Sequence, residues 1–234
     1  MPLVDYVQKY NPIQQTPFRQ AESLSEVGAT GPNIEGKCYA FALAYLLVLR
    51  LGAAGKDLLE SLNIAAKTKD THVINEIMGQ SKELMGTDKW VGTDFFNLQS
   101  SSQRRDEVFQ AFKLKPETEV RFSHKNKKFE DLAQFIGTDT PTYSLLDTPN
   151  HALAAASLPG GRRVWCFFDP NLGEAEFGTQ VDLRLCIANF FANKTVKKHY
   201  KRQEIGAAKS GPIYERQKLE MVKMTVDVVR CIET

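Results

Sequence analysis

Four cysteines and four histidines are all that 234 residues contain, and no two cysteines form a CxxC or a tight Cys/His cluster. Cys38, Cys166, Cys186 and Cys231 stand far apart, which argues against a structural zinc site and against a disulfide scaffold in so long a chain. A chain without such a scaffold suits a reducing compartment, where a thiol survives as a nucleophile. Long apolar runs are also lacking. The longest covers 39–49 and falls short of the roughly 20 residues a bilayer needs, so no stable membrane insertion is expected. The start of the chain has no basic stretch leading into an apolar one, so no cleavable secretory signal is expected. Pro2 leaves no N-terminal glycine for myristoylation. An excess of one charge is missing too: 30 Lys and Arg against 28 Asp and Glu leave a net charge of +2. No Gly/Ser-rich hinge, repeat or low-complexity tract divides the chain.

What is present begins with Asn33-Ile34-Glu35-Gly36-Lys37-Cys38, a polar loop that runs straight into the apolar segment. This predicts a buried helix over 38–51, stopped at Gly52, with Cys38 in its first turn. There the positive end of the helix favours a thiolate, so Cys38 is a candidate nucleophile. A second helix is predicted over 56–67, a third from Asp70, and a fourth over 102–114 that ends at Pro116. Gly86 to Phe96 has the composition of a connecting loop. The pattern then turns to strands: alternation over 119–122, a short amphipathic helix over 125–136, and strand-like runs over 141–146, 151–158 and 162–168. A helix or mixed segment over 180–193 and a closing strand over 222–232 complete the expectation. Helices first and an antiparallel sheet second argue for an α+β fold. Residues 1–32, polar and proline-bearing, read as an extended or loosely ordered leader. Residues 33–234 read as one domain of two lobes.

Of the histidines, His72, His124 and His199 sit among polar or lysine-rich neighbours and read as solvated. His151 opens a strand after a Pro-Asn turn and precedes Ala152-Leu153-Ala154-Ala155-Ala156. If Pro159-Gly160-Gly161 is a three-residue hairpin loop, His151 falls directly opposite Asp169, with Cβ atoms roughly 5 Å apart on one face. A slip of one residue would send the two side chains to opposite faces. An aspartate so placed can orient the imidazole, which gives Cys38, His151 and Asp169 the chemistry of nucleophile, general base and orienter. The natural geometry is papain-like, with the thiol heading a central helix and the other two groups on the sheet. Lys194, Lys197, Lys198, Lys201 and Arg202, and likewise Lys125-Asn126-Lys127-Lys128, read as solvated surface, and no nucleic-acid partner is expected. Cys166 and Cys186 read as buried, Cys231 as potentially reactive.

Gly36-Lys37-Cys38 entering an apolar helix, His151 before small residues, and Phe168-Asp169-Pro170-Asn171-Leu172-Gly173-Glu174 with Phe177 beyond resemble the YopT- and AvrPphB-type cysteine peptidases, a family of bacterial effectors. The resemblance covers roughly 33–177. It implies a papain-like fold and a Cys38, His151, Asp169 triad acting on a protein substrate without cofactor or metal. It also implies Asn33, five residues ahead of Cys38, as a side-chain oxyanion donor beside the Cys38 N–H. Non-classical secretion, of type III or a similar route, would follow, with action in the target-cell cytoplasm and contact of the leader with a chaperone or the secretion machinery. The same residues would serve a deamidase or transglutaminase-like enzyme acting on glutamine, or remain in a non-catalytic binding module.

Overall fold

The structure is a computed structural model and describes residues 7–20, 38–68, 109–110, 113–123, 129–148, 151–160, 163–200 and 225–233. The third helix expected from Asp70, the loop from Gly86, Asn33, His72 and His124 lie outside the described residues. So do Lys125-Asn126-Lys127-Lys128, Lys201 and Arg202.

Among the described residues, seven strands form one sheet: β1 (Pro12–Thr16), β2 (Leu114–Ser123), β3 (Thr142–Thr148), β4 (His151–Leu158), β5 (Val164–Asp169), β6 (Gly173–Phe177) and β7 (Thr225–Glu233). Their order is β1-β6-β5-β4-β3-β7-β2, and every neighbouring pair is antiparallel. The described helices are α1 (Cys38–Arg50), α2 (Gly55–Thr68), α3 (Phe129–Ile136), α4 (Gln180–Ala192) and α5 (Lys194–Tyr200). The architecture is α+β, as the sequence leads one to expect.

Period-two alternation divides the core between the two faces of the sheet. Ala152, Ala154 and Ala156 of β4, with Cys166 and Phe168 of β5, pack under α1 and α2. Leu153, Ala155 and Phe167 point the other way, into a second cluster with α3 and α4. Side chains two apart share a face, so one strand serves both layers. Helix α1 is buried almost all round, from Ala42 through Leu47, which explains its nearly unbroken apolar sequence. The alanines of β4 have little to hold a helix away, and α1 settles directly on that strand.

Four expectations change. Residues 12–16, assigned to a loose leader, are the edge strand β1, and Phe18 just beyond inserts its ring beside Phe41 and Phe168. Polar, proline-bearing sequence suits an edge strand, because only one side of it must pair and one face must pack. The helix expected over 102–114 lies mostly outside the described residues, but its expected end does not hold. Lys113 turns at φ 55° and Leu114 already opens β2. Pro116 sits inside that outer strand at a register shift, where its missing N–H is tolerated. Strand β6 is an addition, hidden in the sequence by two glutamates on one of its faces. Cys231, expected near a reactive terminus, is fully buried in β7, which inserts between β3 and β2 instead of lying at an edge.

Candidate active site

Cys38 is the first residue of α1 and is buried. Its N–H is among the four that a helix start leaves without an internal acceptor. Because α1 lies close on the alanines of β4, the N–H of Ala152 donates to the Cys38 Sγ at 3.4 Å. The sulfur therefore rests at the point where β4 begins, next to His151.

His151 and Asp169 are brought together, though not by the expected register. Pairing between β4 and β5 runs Leu158 to Val164 and Ala154 to Phe168, so the hairpin connection is two residues longer than a three-residue loop. Arg163 closes it at φ 45°, donating its N–H to the Gly160 carbonyl. A shift of two preserves the face, where a shift of one would have reversed it. His151 and Asp169 are thus diagonal neighbours, and His151 Nε2 meets Asp169 Oδ1 at 2.8 Å with both side chains buried. With Nε2 so engaged, Nδ1 is left for the thiol, and Cys38 is near enough to the ring to help raise its pKa. By parity the imidazole belongs to the α3 and α4 side of the sheet and the thiol helix to the other. They meet over the end of β4.

The carboxylate is held on all sides. Asp169 Oδ1 also accepts the Asn171 N–H at 2.8 Å, and Leu172 N–H returns to the Asp169 carbonyl, so the Asp-Pro-Asn turn is the carboxylate's mount. Asp169 Oδ2 accepts the Tyr200 hydroxyl. The Tyr200 ring lies flat on the imidazole, centroids 4.4 Å apart at 15°. Burial pulls the His151 pKa down, but the Asp169 charge and hydrogen bond, with the Cys38 contact, outweigh it and push it up from 6.5 to about 10. The ring therefore carries its proton through neutral pH.

The N-terminal segment also reaches the site. Gln20 N–H donates to the Pro170 carbonyl at 2.8 Å, and Gln20 Nε2 donates to Asn171 Oδ1 at 2.9 Å. That bond turns the Asn171 amino group toward His151 Nδ1, 3.4 Å away. Gln20, Asn171 and Tyr200 escaped the sequence reading. Asn171 carried a signal in the Asp-Pro-Asn turn, whereas Tyr200 ends a basic helix and carried none.

Solved structures to which this chain is similar include an avirulence protein, a cysteine protease-like domain and a ubiquitin-specific protease. No protein-family model matches the chain, and no curated protein matches it in sequence. The Pseudomonas avirulence protein AvrPphB is 11% identical with a TM-score of 0.47, over 97% of this chain and 99% of that one. The cysteine protease-like domain of the Photorhabdus asymbiotica toxin PaTox is 12% identical with a TM-score of 0.45, over 80% of this chain and 52% of that one. The ubiquitin-specific protease of murine cytomegalovirus tegument protein M48, captured with a ubiquitin-based suicide substrate, is 10% identical with a TM-score of 0.41, over 95% of this chain and 88% of that one. Among the described residues, no helix is long and apolar enough to cross a membrane.

The thiol helix is fastened to the carboxylate's turn by a second tyrosine. Tyr45, two turns after Cys38, stacks on Phe168 (4.5 Å, 20°) and donates its hydroxyl to Glu174 Oε1 at 2.5 Å. Gly55 leaves room for this pair, since a Cβ there would lie 2.2 Å from Glu174 Oε1. Glu174, Glu176 and Cys166 form a buried group with ligand atoms within 4.8 Å of one another. Burial and the Glu176 charge push the Glu174 carboxyl up from 4.5 to about 7, against the Tyr45 bond. The folded chain thus holds this proton more tightly than the unfolded chain. The resulting stability is fully present below pH 4.5 and is lost as pH rises through about 7. Glu174→Gln, which keeps the acceptor for Tyr45, should flatten that part of the stability profile, a change of roughly 3 kcal/mol. Thermal unfolding of both proteins across this range checks it, and parallel curves would rule it out.

Proposed function

We propose that the chain is a papain-like cysteine endopeptidase that cleaves a protein substrate through Cys38, His151 and Asp169. The observation that carries this reading is an imidazole bonded through Nε2 to the Asp169 carboxylate, with the Cys38 sulfur seated on the N–H of Ala152, the next residue along β4. His151 takes the thiol proton before substrate arrives and holds it as an imidazolium, and Cys38 Sγ then attacks the peptide carbonyl carbon. The tetrahedral oxyanion takes donors from the Cys38 N–H and, as the sequence resemblance implies, the Asn33 side chain. As the C–N bond breaks, the imidazolium gives its proton to the leaving amine and a thioester remains. Water attacks the thioester with His151 as base, releasing the new carboxylate and restoring the thiol. Asp169 keeps Nε2 protonated throughout, so that Nδ1 is the basic nitrogen.

The same sequence resemblance supports a bacterial effector or toxin, delivered by a type III or similar route and acting in the cytoplasm of the target cell. The N-terminal residues would meet a chaperone or the secretion machinery before folding is complete. Residues 12–20 are otherwise committed to the sheet and to the turn around Asn171.

The test is to treat a cell lysate with the protein and with His151→Ala, and to map new chain termini by mass spectrometry. The expected result is a small set of cleavage sites generated by the native protein alone. Glutamine converted to glutamate or cross-linked, with no new termini, would replace the peptidase by a deamidase or transglutaminase-like enzyme. No change of either kind, together with no selective labelling of Cys38 by an electrophilic probe, would leave a binding module.

A further inference from the structure

Resting on the peptidase reading, we propose that Tyr200 is a positioning residue of the reaction, its ring fixing the plane of the His151 imidazole and its hydroxyl fixing the Asp169 carboxylate. One hydrogen bond from Nε2 to Asp169 sets the direction of the imidazole but leaves the ring free to swing about that axis. Nδ1 would then leave the sulfur. The flat stack at 4.4 Å and 15° removes that freedom. Asp169 Oδ1 is already shared by His151 Nε2 and the Asn171 N–H, each at 2.8 Å, so Oδ2 is the oxygen through which the carboxylate's own rotation is stopped. The Tyr200 hydroxyl donates there.

Tyr200 is itself held. Phe190 of α4 stands behind its ring (6.2 Å, 35°), and α5 packs on α4. Burial and the Asp169 charge push the phenol pKa far up, so it stays a donor at every pH of interest. Among the described residues, the groups facing the imidazole are Asp169 from β5, the Cys38 thiol from α1, the Asn171 amide from the turn and Tyr200 from α5. Of these, Asn171 and Tyr200 each touch both the base and its carboxylate, and Tyr200 is the one whose ring lies flat on the imidazole. A stacked ring that only filled space would need no hydroxyl aimed at that carboxylate.

The experiment needs no substrate. The rate of Cys38 alkylation by iodoacetate is measured against pH for the native protein, Tyr200→Phe, Tyr200→Leu and His151→Ala. Iodoacetate is drawn to the imidazolium, so its rate falls when His151 loses its proton. Tyr200→Phe keeps the buried ring and removes one donor from Asp169, whose charge then acts more fully on the imidazolium. The alkaline limb should move up by about half a pH unit. Tyr200→Leu frees the ring and should lower the neutral-pH rate roughly tenfold, toward that of His151→Ala. An unmoved profile in Tyr200→Phe overturns the proposal whatever the leucine variant does, since a structural role alone would alter only the melting temperature. If instead native Cys38 reacts no faster than in His151→Ala, the peptidase reading itself fails, and the two failures are distinguishable.

Discussion

Cys38→Ala should abolish cleavage, with a fall of about four to six orders of magnitude in kcat and the fold left intact. The substitution removes one atom, Sγ, which accepts the Ala152 N–H at the head of α1, beside His151. Alanine is the best helix former, so α1 keeps its start, and the small cavity costs about 1 kcal/mol. A fall of this size with near-native thermal unfolding separates chemistry from folding. It is read at the sites that the lysate experiment reveals, with His151→Ala as a second inactive protein. Cleavage persisting in purified Cys38→Ala would remove the sulfur from the reaction.

Asp169→Asn should cost about three to four orders of magnitude in kcat and, unlike the cysteine variant, roughly 3 kcal/mol of stability. Asp169 accepts from three donors: His151 Nε2, the Asn171 N–H and the Tyr200 hydroxyl. An asparagine offers one oxygen, and its amino group must face a donor on the other side. If that donor is Nε2, the imidazole shifts its proton to Nδ1, the nitrogen that must take the thiol proton, and the base is blocked. The pH dependence changes as well. His151 binds its proton more tightly in the folded chain, so the associated stability is fully present below pH 6.5 and fades as pH rises through about 10. Asp169→Asn should remove this alkaline decline while leaving the acid-side slope due to Glu174 in place. An unchanged decline above pH 6.5 would mean that the carboxylate does not hold the charged ring.

How far the site could be read from sequence depended on the range of each signal. Cys38 at the head of an apolar helix was legible because helix entry is local: a polar loop, then apolar residues all round. His151 and Asp169 were placed on one face from alternation and a turn, and the assumed loop was two residues too short. The two side chains still share a face because a strand repeats every two residues, so an even error moves the partner along the face and not through the sheet. Strand β6 was missed because Glu174 and Glu176 break the apolar alternation. They are tolerated in the interior by a tyrosine hydroxyl and by the carboxyl of Glu174 holding its proton up to about pH 7.

The sequence by itself determined the α+β class, most of the described elements, and the three residues that the proposed chemistry uses. Each of these is written within a span of about a turn or a hairpin. Only the tertiary structure decided what holds those residues in register. Tyr200 reaches Asp169 across 31 positions, Tyr45 reaches Glu174 across 129, and Gln20 reaches Asn171 across 151. Contacts of that separation follow from which helix packs on which face of the sheet, and a chain read one segment at a time has no periodicity that records them.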